Sequence, residues 1–394
     1  MKPPRPTPSP GEPLLSDELL GRINARAPGY DRDNAFPHAD LAELAEAGYL
    51  AAMVPAEFGG AGLSLLDMTR EQARLAAAAP ATALAVNMHL IWTGIARTLR
   101  DRGDDSLEYV LVEAAAGEVF GFGISEPGND LVLFDSATDA RRQPDGGYAF
   151  TGTKIFTSLS PVWTRLGVFG LDSADAGHPQ LVHAFLDRES PGITVLDDWD
   201  TVGMRATQSN TTRLDGAIAA PDRVFGFRDP GPSAHPLVFA IFANFEILLS
   251  SVYVGIAERA LSLAVDNASG RLSRKTGLAG SQNPDTRWKI ADAAIVVDGL
   301  VPQLEAIASD VDELVDHGPQ WFRKLAGLKL RATESARFVV NQAIRVSGGS
   351  SYFAANELGR LYRDVLAGGF HPSNEDSVHN TVATALLGPL EERP

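Results

Sequence analysis

The 394-residue chain contains no cysteine. Disulfides, thiolate metal sites and a cysteine nucleophile are therefore excluded, and a reducing cytoplasm is the expected location. Basic residues are also scarce, with 34 Lys and Arg against 50 Asp and Glu and a net charge of −16. Neutralising phosphates needs clustered Lys and Arg, so no nucleic-acid partner is expected. There is no GxGxxG following a strand, no Walker loop and no HExxH. Nicotinamide, ATP and zinc-hydrolase chemistry thereby lose their usual support. No N-terminal stretch combines a basic region with an apolar run and a cleavage site, so no signal peptide is expected. One apolar run, "LVFAIFANFEILLSSVYVGIA" (237–257), is long enough to span a bilayer. Asn244 and Glu246 lie near its centre, where an ionised group in lipid is costly. It is read as a buried helix, with no membrane contact.

What is present is an ordinary soluble composition, 44% hydrophobic and 21% charged. At this length two or three packed units are expected. The opening "PPRPTPSPGEP" is proline-rich and aperiodic, which predicts a mobile tail over 1–14. Residues 15–118 carry Ala- and Leu-rich stretches at helical spacing, such as "HADLAELAEAGYLAAM", and predict an N-terminal helical domain. Over 119–228 the runs become short and β-branched or aromatic, as in "GGYAFTGTKIFTS", "RLGVFGL", "LVHAFLD", "GITVLD" and "TTRLDGAIA". Turn residues such as "PDGG" and "ESPG" bound them, predicting a small antiparallel β domain. Helical segments return at 237–270, 285–316 and 320–347, within a C-terminal helical domain over 229–394. The order predicts segregated α+β layers rather than alternating βαβ units.

Four motifs punctuate this order: "FGFGISEPGND" (120–130), "GYAFTGTKIFTS" (147–158), "VGMRATQSN" (202–210) and "GGSSYFAANELGRLYRD" (348–364). Together with the domain order they resemble the acyl-CoA dehydrogenase superfamily of flavoproteins, over nearly the whole chain from about residue 15. The resemblance implies an N-terminal helical domain, a central antiparallel β domain and a C-terminal four-helix bundle. It implies FAD as cofactor, with FMN as the alternative. In the first motif Phe122, Ile124 and Ser125 would line the flavin, Ser125 as a donor to a ring heteroatom. Ser158 matches the hydroxyl beside the flavin N5 region, and Phe156 would pack on the ring. Arg271, sixteen residues after Gly255, matches the arginine that reaches the cofactor diphosphate of a neighbouring subunit. Gly348 and Gly349 match the backbone approach to the adenylate part, and a helix C-cap is their other reading. Asn374 matches a contact to the flavin diphosphate, or it caps the last helix through "SNED". A site shared in this way implies a homodimer or homotetramer.

The chain also departs from the dehydrogenase pattern. The carboxylate base expected nine residues after Arg363 falls on Pro372. The other family position, ten residues before Gly255, falls on Phe245, with Glu246 its neighbour. One residue is a turn of about 100° on a helix, so Glu246 is expected to face elsewhere. Positions of the usual CoA contacts carry Ala243 and Glu246, and Leu131 stands where a small Ser lines the acyl path. His371, seven residues after Asp364, resembles instead the flavin monooxygenase branch of the fold, whose members take reduced flavin from a partner reductase. A neutral histidine there can hydrogen-bond oxygen or deprotonate the substrate; the alternative is a turn residue before proline. His89 in "AVNMHLIW" falls in the helix that lines the substrate side in this fold, or is a satisfied core histidine. Phe245, Leu131 and Trp92 imply an apolar pocket for a small-molecule substrate. His178, His317 and His379 lack ligand spacing, so no metal site is expected.

Three functional expectations follow. One is a reduced-flavin monooxygenase or oxidase with His371, Ser158 and His89 around the flavin. Another is an acyl-thioester dehydrogenase whose base is Glu246 or His371. The third is a non-catalytic flavin-binding subunit.

Overall fold

The computed structural model describes residues 12–129 and 131–390. Five helices come first: α1 (Asp17–Asp33), α2 (His38–Glu46), α3 (Leu65–Ala78), α4 (Pro80–Arg100) and α5 (Glu108–Ala116). Their ends follow local chemistry. Ser16 caps α1 by accepting from Leu19 N–H, and Ser64 caps α3 through Asp67 N–H. Pro80 opens α4 at a position where its missing N–H costs nothing. The expected mobile tail falls mostly on residues outside those described. Its last residue, Leu14, is tied down, donating its N–H to Glu71 Oε1 at 3.0 Å.

The middle of the chain forms β1 (Phe120–Gly123), β2 (Asp139–Arg142), β3 (Tyr148–Lys154), β4 (Arg165–Asp172), β5 (Gln180–Asp187), β6 (Ile193–Val195), β7 (Thr212–Ala219) and β8 (Val224–Arg228). The sheet order is β6-β7-β3-β2-β4-β5-β8, with β1 added alongside β4. It is mixed rather than purely antiparallel. β1 and β2 both run parallel to β4, because the chain leaves β1 through the 124–138 loop and re-enters on the same side. Trp92 of α4 fastens the sheet to the first helices, donating from its indole to Gly121 C=O at 2.9 Å. Gly167 makes room for that ring, since a Cβ there would lie 2.1 Å from it.

The rest is helical: α6 (Pro236–Gly270), α7 (Pro284–Asp312), α8 (Gln320–Ser347), α9 (Glu357–Val365) and α10 (Glu375–Leu387). α6 is the apolar run singled out above, and 83% of its most apolar stretch is buried inside the fold. It packs against α3, α4, α7 and α8, and α10 lies on α8. Asn244, one of its polar residues, donates its side-chain amide to Thr98 Oγ1 at 2.9 Å. Each fully buried Leu, Ile, Val or Phe on it contributes roughly 1.5–3 kcal/mol, so the helix is held by packing rather than by intrinsic propensity.

Candidate functional site

A cavity of about 740 Å³ opens between β1, the loop after β3, the 199–209 segment, α6 and the 363–381 segment. It gathers Phe122, Ile124, Ser125, Phe156, Ser158, Glu246 and His371, seven of the residues expected at the site. The loops that place them are braced by local bonds. Ile155 N–H donates to Ser125 C=O at 2.9 Å, so the end of β1 and the end of β3 share one edge. Phe156 takes a left-handed backbone, φ +56°, which turns its ring outward with 52% of the residue exposed. Trp199 meets that ring edge-on at 6.1 Å. Phe122 stacks on Phe245 at 5.7 Å and forms an apolar wall. Ser158 shares a hydrogen with Ser209 at 2.7 Å, Ser209 with Thr207 at 2.8 Å, and Thr207 donates to Met204 C=O. A half-exposed aromatic ring, apolar walls and a run of hydroxyls at one edge fit a flavin ring, which is flat, apolar on its faces and hydrogen-bonding at its rim.

The opposite end of the cavity is acid–base machinery. Glu246 is 1% exposed and lines the cavity beside Phe245, against the expectation that it faces away. Both neighbours reach the wall because the cavity spans a wide arc of α6. Ser373, itself in a left-handed turn at φ +59°, donates its hydroxyl to Glu246 Oε1, while Oε2 has no partner among the described residues. Burial pushes the Glu246 carboxyl up to about 8, against the pull of the Ser373 bond and of Lys329. Lys329, buried in α8, donates to the carbonyls of Gly368 (3.0 Å), His371 (3.3 Å) and Ser373 (3.0 Å). One ammonium thus fixes the loop that carries His371. His371 Nε2 lies 2.9 Å from the Tyr253 hydroxyl. Burial, then the Lys329 charge, lowers its pKa to about 3, so the imidazole is neutral.

The Arg363–Asp364 pair holds the rim. Arg363 grips Asp31 of α1 at 2.8 and 2.6 Å and donates to Val202 C=O at 3.1 Å. Asp364 accepts from Met204 N–H at 2.6 Å. Gly203 lies so close that a Cβ would sit 2.1 Å from Arg363 C=O, which explains the glycine of that motif. Burial lifts Asp364 to about 6, opposed by Arg360.

Six expected residues lie off the cavity wall. His89 is fully buried: its Nδ1 accepts from Phe120 N–H at 3.1 Å, so its Nε2 donates to Leu50 C=O at 2.7 Å. With both nitrogens spent and its pKa driven by burial to about 4, it is a core histidine, and the expected role at the flavin is withdrawn. Trp92 likewise belongs to the core rather than the pocket. Arg271 and Gly348 sit together, Arg271 Nη1 lying 3.4 Å from Ser347 C=O and 3.3 Å from where a Gly348 Cβ would be. Gly349 beside them faces open space. Asn374 caps α10, accepting from Ser377 N–H at 3.0 Å.

Several residues that build the site were not among those expected there. Tyr253 stands seven after Glu246 on one helix face, a spacing that was readable. Ser209 lies inside a quoted motif, as do both halves of a buried pair behind the cavity, Glu126 and Lys154, 2.5 Å apart. Lys329 carried no sequence signal, since its acceptors are loop carbonyls far along the chain.

Comparison with known proteins agrees with this arrangement. Residues 19–107 match the acyl-CoA dehydrogenase N-terminal domain family, and residues 247–375 match the acyl-CoA dehydrogenase C-terminal domain family. L-evernosamine nitrososynthase of a Micromonospora species is 30% identical over 359 residues, covering 89% of this chain and 84% of the relative. A putative acyl-CoA dehydrogenase, YdbM of Bacillus subtilis, is 28% identical and covers 94% of this chain and 96% of its own length. The crystal structure of KijD3 in complex with FMN and a dTDP-linked 3-amino-4-keto sugar superposes with a TM-score of 0.86 at 28% identity, covering 99% of this chain and 96% of the other. The chain belongs to the acyl-CoA dehydrogenase superfamily and is a flavin-dependent oxidoreductase.

Proposed function

We propose that this chain is a reduced-flavin, dioxygen-dependent monooxygenase or oxidase acting on a small organic substrate within the 740 Å³ cavity. The observation that carries this reading is the pair of residues standing where a dehydrogenase base is expected. α,β-Dehydrogenation of a thioester needs an ionised base at the substrate α-carbon. Pro372 and Phe245 stand at the two expected base positions, and burial favours the neutral form of Glu246. When bound and reduced, flavin supplies the two electrons that convert one atom of O2 to water while the other joins the substrate. The protein's own part is positioning and exclusion. Phe156 offers the ring a platform, and Ser125 and Ser158 offer hydroxyls at its rim. With Thr207 donating to Met204 C=O, Ser209 donates to Thr207 and Ser158 to Ser209, which leaves the Ser158 oxygen as an acceptor at the rim. Phe122 and Phe245 keep water from the wall between the ring site and His371.

The similarity to a nitrososynthase and to an amino-sugar complex supports an amine-bearing substrate. Glu246 Oε2 has no partner among the described residues, and a neutral carboxyl whose Oε1 accepts from Ser373 offers its hydrogen there to the lone pair of an uncharged amine. We assign FAD as cofactor, on the Arg271–Gly348 corner, which would serve the diphosphate held by a second copy of the chain. FMN, as in the KijD3 complex, is the other outcome when the cofactor is extracted and weighed. A homodimer or homotetramer follows from that sharing, and exposed Tyr352 (95%) and Phe353 (72%) beside Gly349 suit a subunit contact. A flavin reductase would supply the reduced cofactor, in the cytoplasm.

The test is to incubate the protein with reduced flavin, O2 and an amino-sugar nucleotide. The expected product gains oxygen derived from ¹⁸O2. Anaerobic bleaching of bound flavin by an acyl-CoA, with no such product, would overturn the reading. It would instead favour the dehydrogenase, for which the unpartnered Glu246 Oε2 is the specific supporting observation; that bleaching would then vanish in Glu246→Gln.

A further inference from the structure

Whether His371 gives or takes a proton depends on which ring nitrogen carries its hydrogen, and its neighbours decide that. Tyr253 is fully buried in α6, and burial, then the nearby Asp364, keeps its phenol protonated well above the ordinary range. Its hydroxyl lies 2.9 Å from His371 Nε2, which is its acceptor among the described residues. Leaving a buried hydroxyl proton without an acceptor would cost about 1–3 kcal/mol. The O–H therefore donates to Nε2, and a neutral imidazole bonded in this way carries its own hydrogen on Nδ1. The arrangement is rigid. The two rings meet edge to face at 5.9 Å. A Cβ at Gly368 would come within 3.0 Å of Tyr253 Cε1, so the loop packs directly on the tyrosine. The three Lys329 bonds hold that loop from the other side.

We propose that Tyr253 is a positioning residue that locks His371 as its Nδ1–H tautomer, so that His371 presents a hydrogen-bond donor, rather than a base, to the cavity. Its geometry stands alone; its consequence rests on the oxygenase reading. A neutral donor at that wall stabilises negative charge as it develops on oxygen. Proton removal from the substrate then falls to a group other than His371.

The experiment has two arms. Protein labelled with ¹⁵N-histidine is examined by NMR, the His371 signals being those lost in His371→Asn. The expected pattern is a pyrrole-type Nδ1 and a pyridine-type Nε2, turning into a tautomer mixture in Tyr253→Phe. The opposite pattern in the wild type, or no change in Tyr253→Phe, overturns the proposal. The second arm compares turnover. Asn can place an amide N–H where Nδ1–H stands, whereas Gln places it nearer Nε2. His371→Asn should keep kcat within about tenfold of wild type. His371→Gln should lose about a hundredfold, with KM little changed in both. Equal loss in the two variants would mark a base and sink the proposal. The NMR arm needs no turnover, so an error in the oxygenase reading alone leaves its result standing.

Discussion

Two buried glutamate–lysine sets in this molecule use the same residue types and reach opposite states. Behind the cavity, Glu126 contacts Lys154 at 2.5 Å and also accepts from Ser136 Oγ, Thr138 Oγ1, Ala137 N–H and Asn129 Nδ2. Burial opposes its charge, but Lys154 and the hydroxyl donors outweigh that and hold it at about 2. On the cavity wall, Glu246 has one hydroxyl donor, and Lys329 spends its hydrogens on loop carbonyls. Burial then wins, and the carboxyl rises to about 8. Burial is common to both, so the number of donors decides between a structural anion and a proton-holding group. The first fixes the 126–138 loop; the second is left adjustable where chemistry is done.

Breaking the first set should cost most. Lys154→Met leaves Glu126 charged and buried, with an expected loss of about 3–5 kcal/mol in denaturant unfolding. The pH signs should also differ. The Glu126 pKa is depressed, so its stabilisation is present above the ordinary carboxyl range and is lost as pH falls toward about 2. Lys329→Met should cost less, about 2–3 kcal/mol, because the loop it holds is partly exposed. Turnover should fall with it as His371 and Ser373 lose their anchor, measured by parallel melting and activity assays. Glu246→Gln sharpens the contrast further. With a raised pKa, wild-type Glu246 favours folding below its ordinary value and detracts as pH rises toward about 8. The melting temperature of Glu246→Gln relative to wild type should therefore climb between pH 5 and pH 8, by roughly 1 °C per kcal/mol relieved in a chain of this length. Asp31→Asn removes a half-buried partner of Arg363 and should cost no more than about 1 kcal/mol, with flavin retained in an absorbance spectrum.

The same contrast explains what was readable in advance. Strand and helix texture is local, so β3, β5, β7 and α6 could be placed from residue type and spacing. The Gly203 and Arg363–Asp364 motifs were visible by register, although their physical role, a backbone contact with a carboxylate cap, needed the fold. His89 misled because an apolar helix gives no hint that its ring is bonded at both nitrogens by Leu50 and Phe120. Glu246 misled in the other direction, since an angular argument about one helix says nothing of how wide a cavity it borders. Lys329 is one of four cations from Arg323 to Arg331 that could have pointed inward, and only packing selects it. β1 and β2 became parallel to β4 through a loop whose organiser, Glu126, binds loop residues up to twelve positions away and Lys154 at 28.

The bond from Arg363 to Asp31 spans 332 residues of sequence. It joins α1 to α9, and Asp364 adds the 199–209 segment through Met204. The cavity rim is therefore closed by contacts of very high sequence separation, whose loop-closure entropy has to be met before they stabilise anything. Such contacts are expected to form late in refolding, so the rim should order after the helices and strands that it joins.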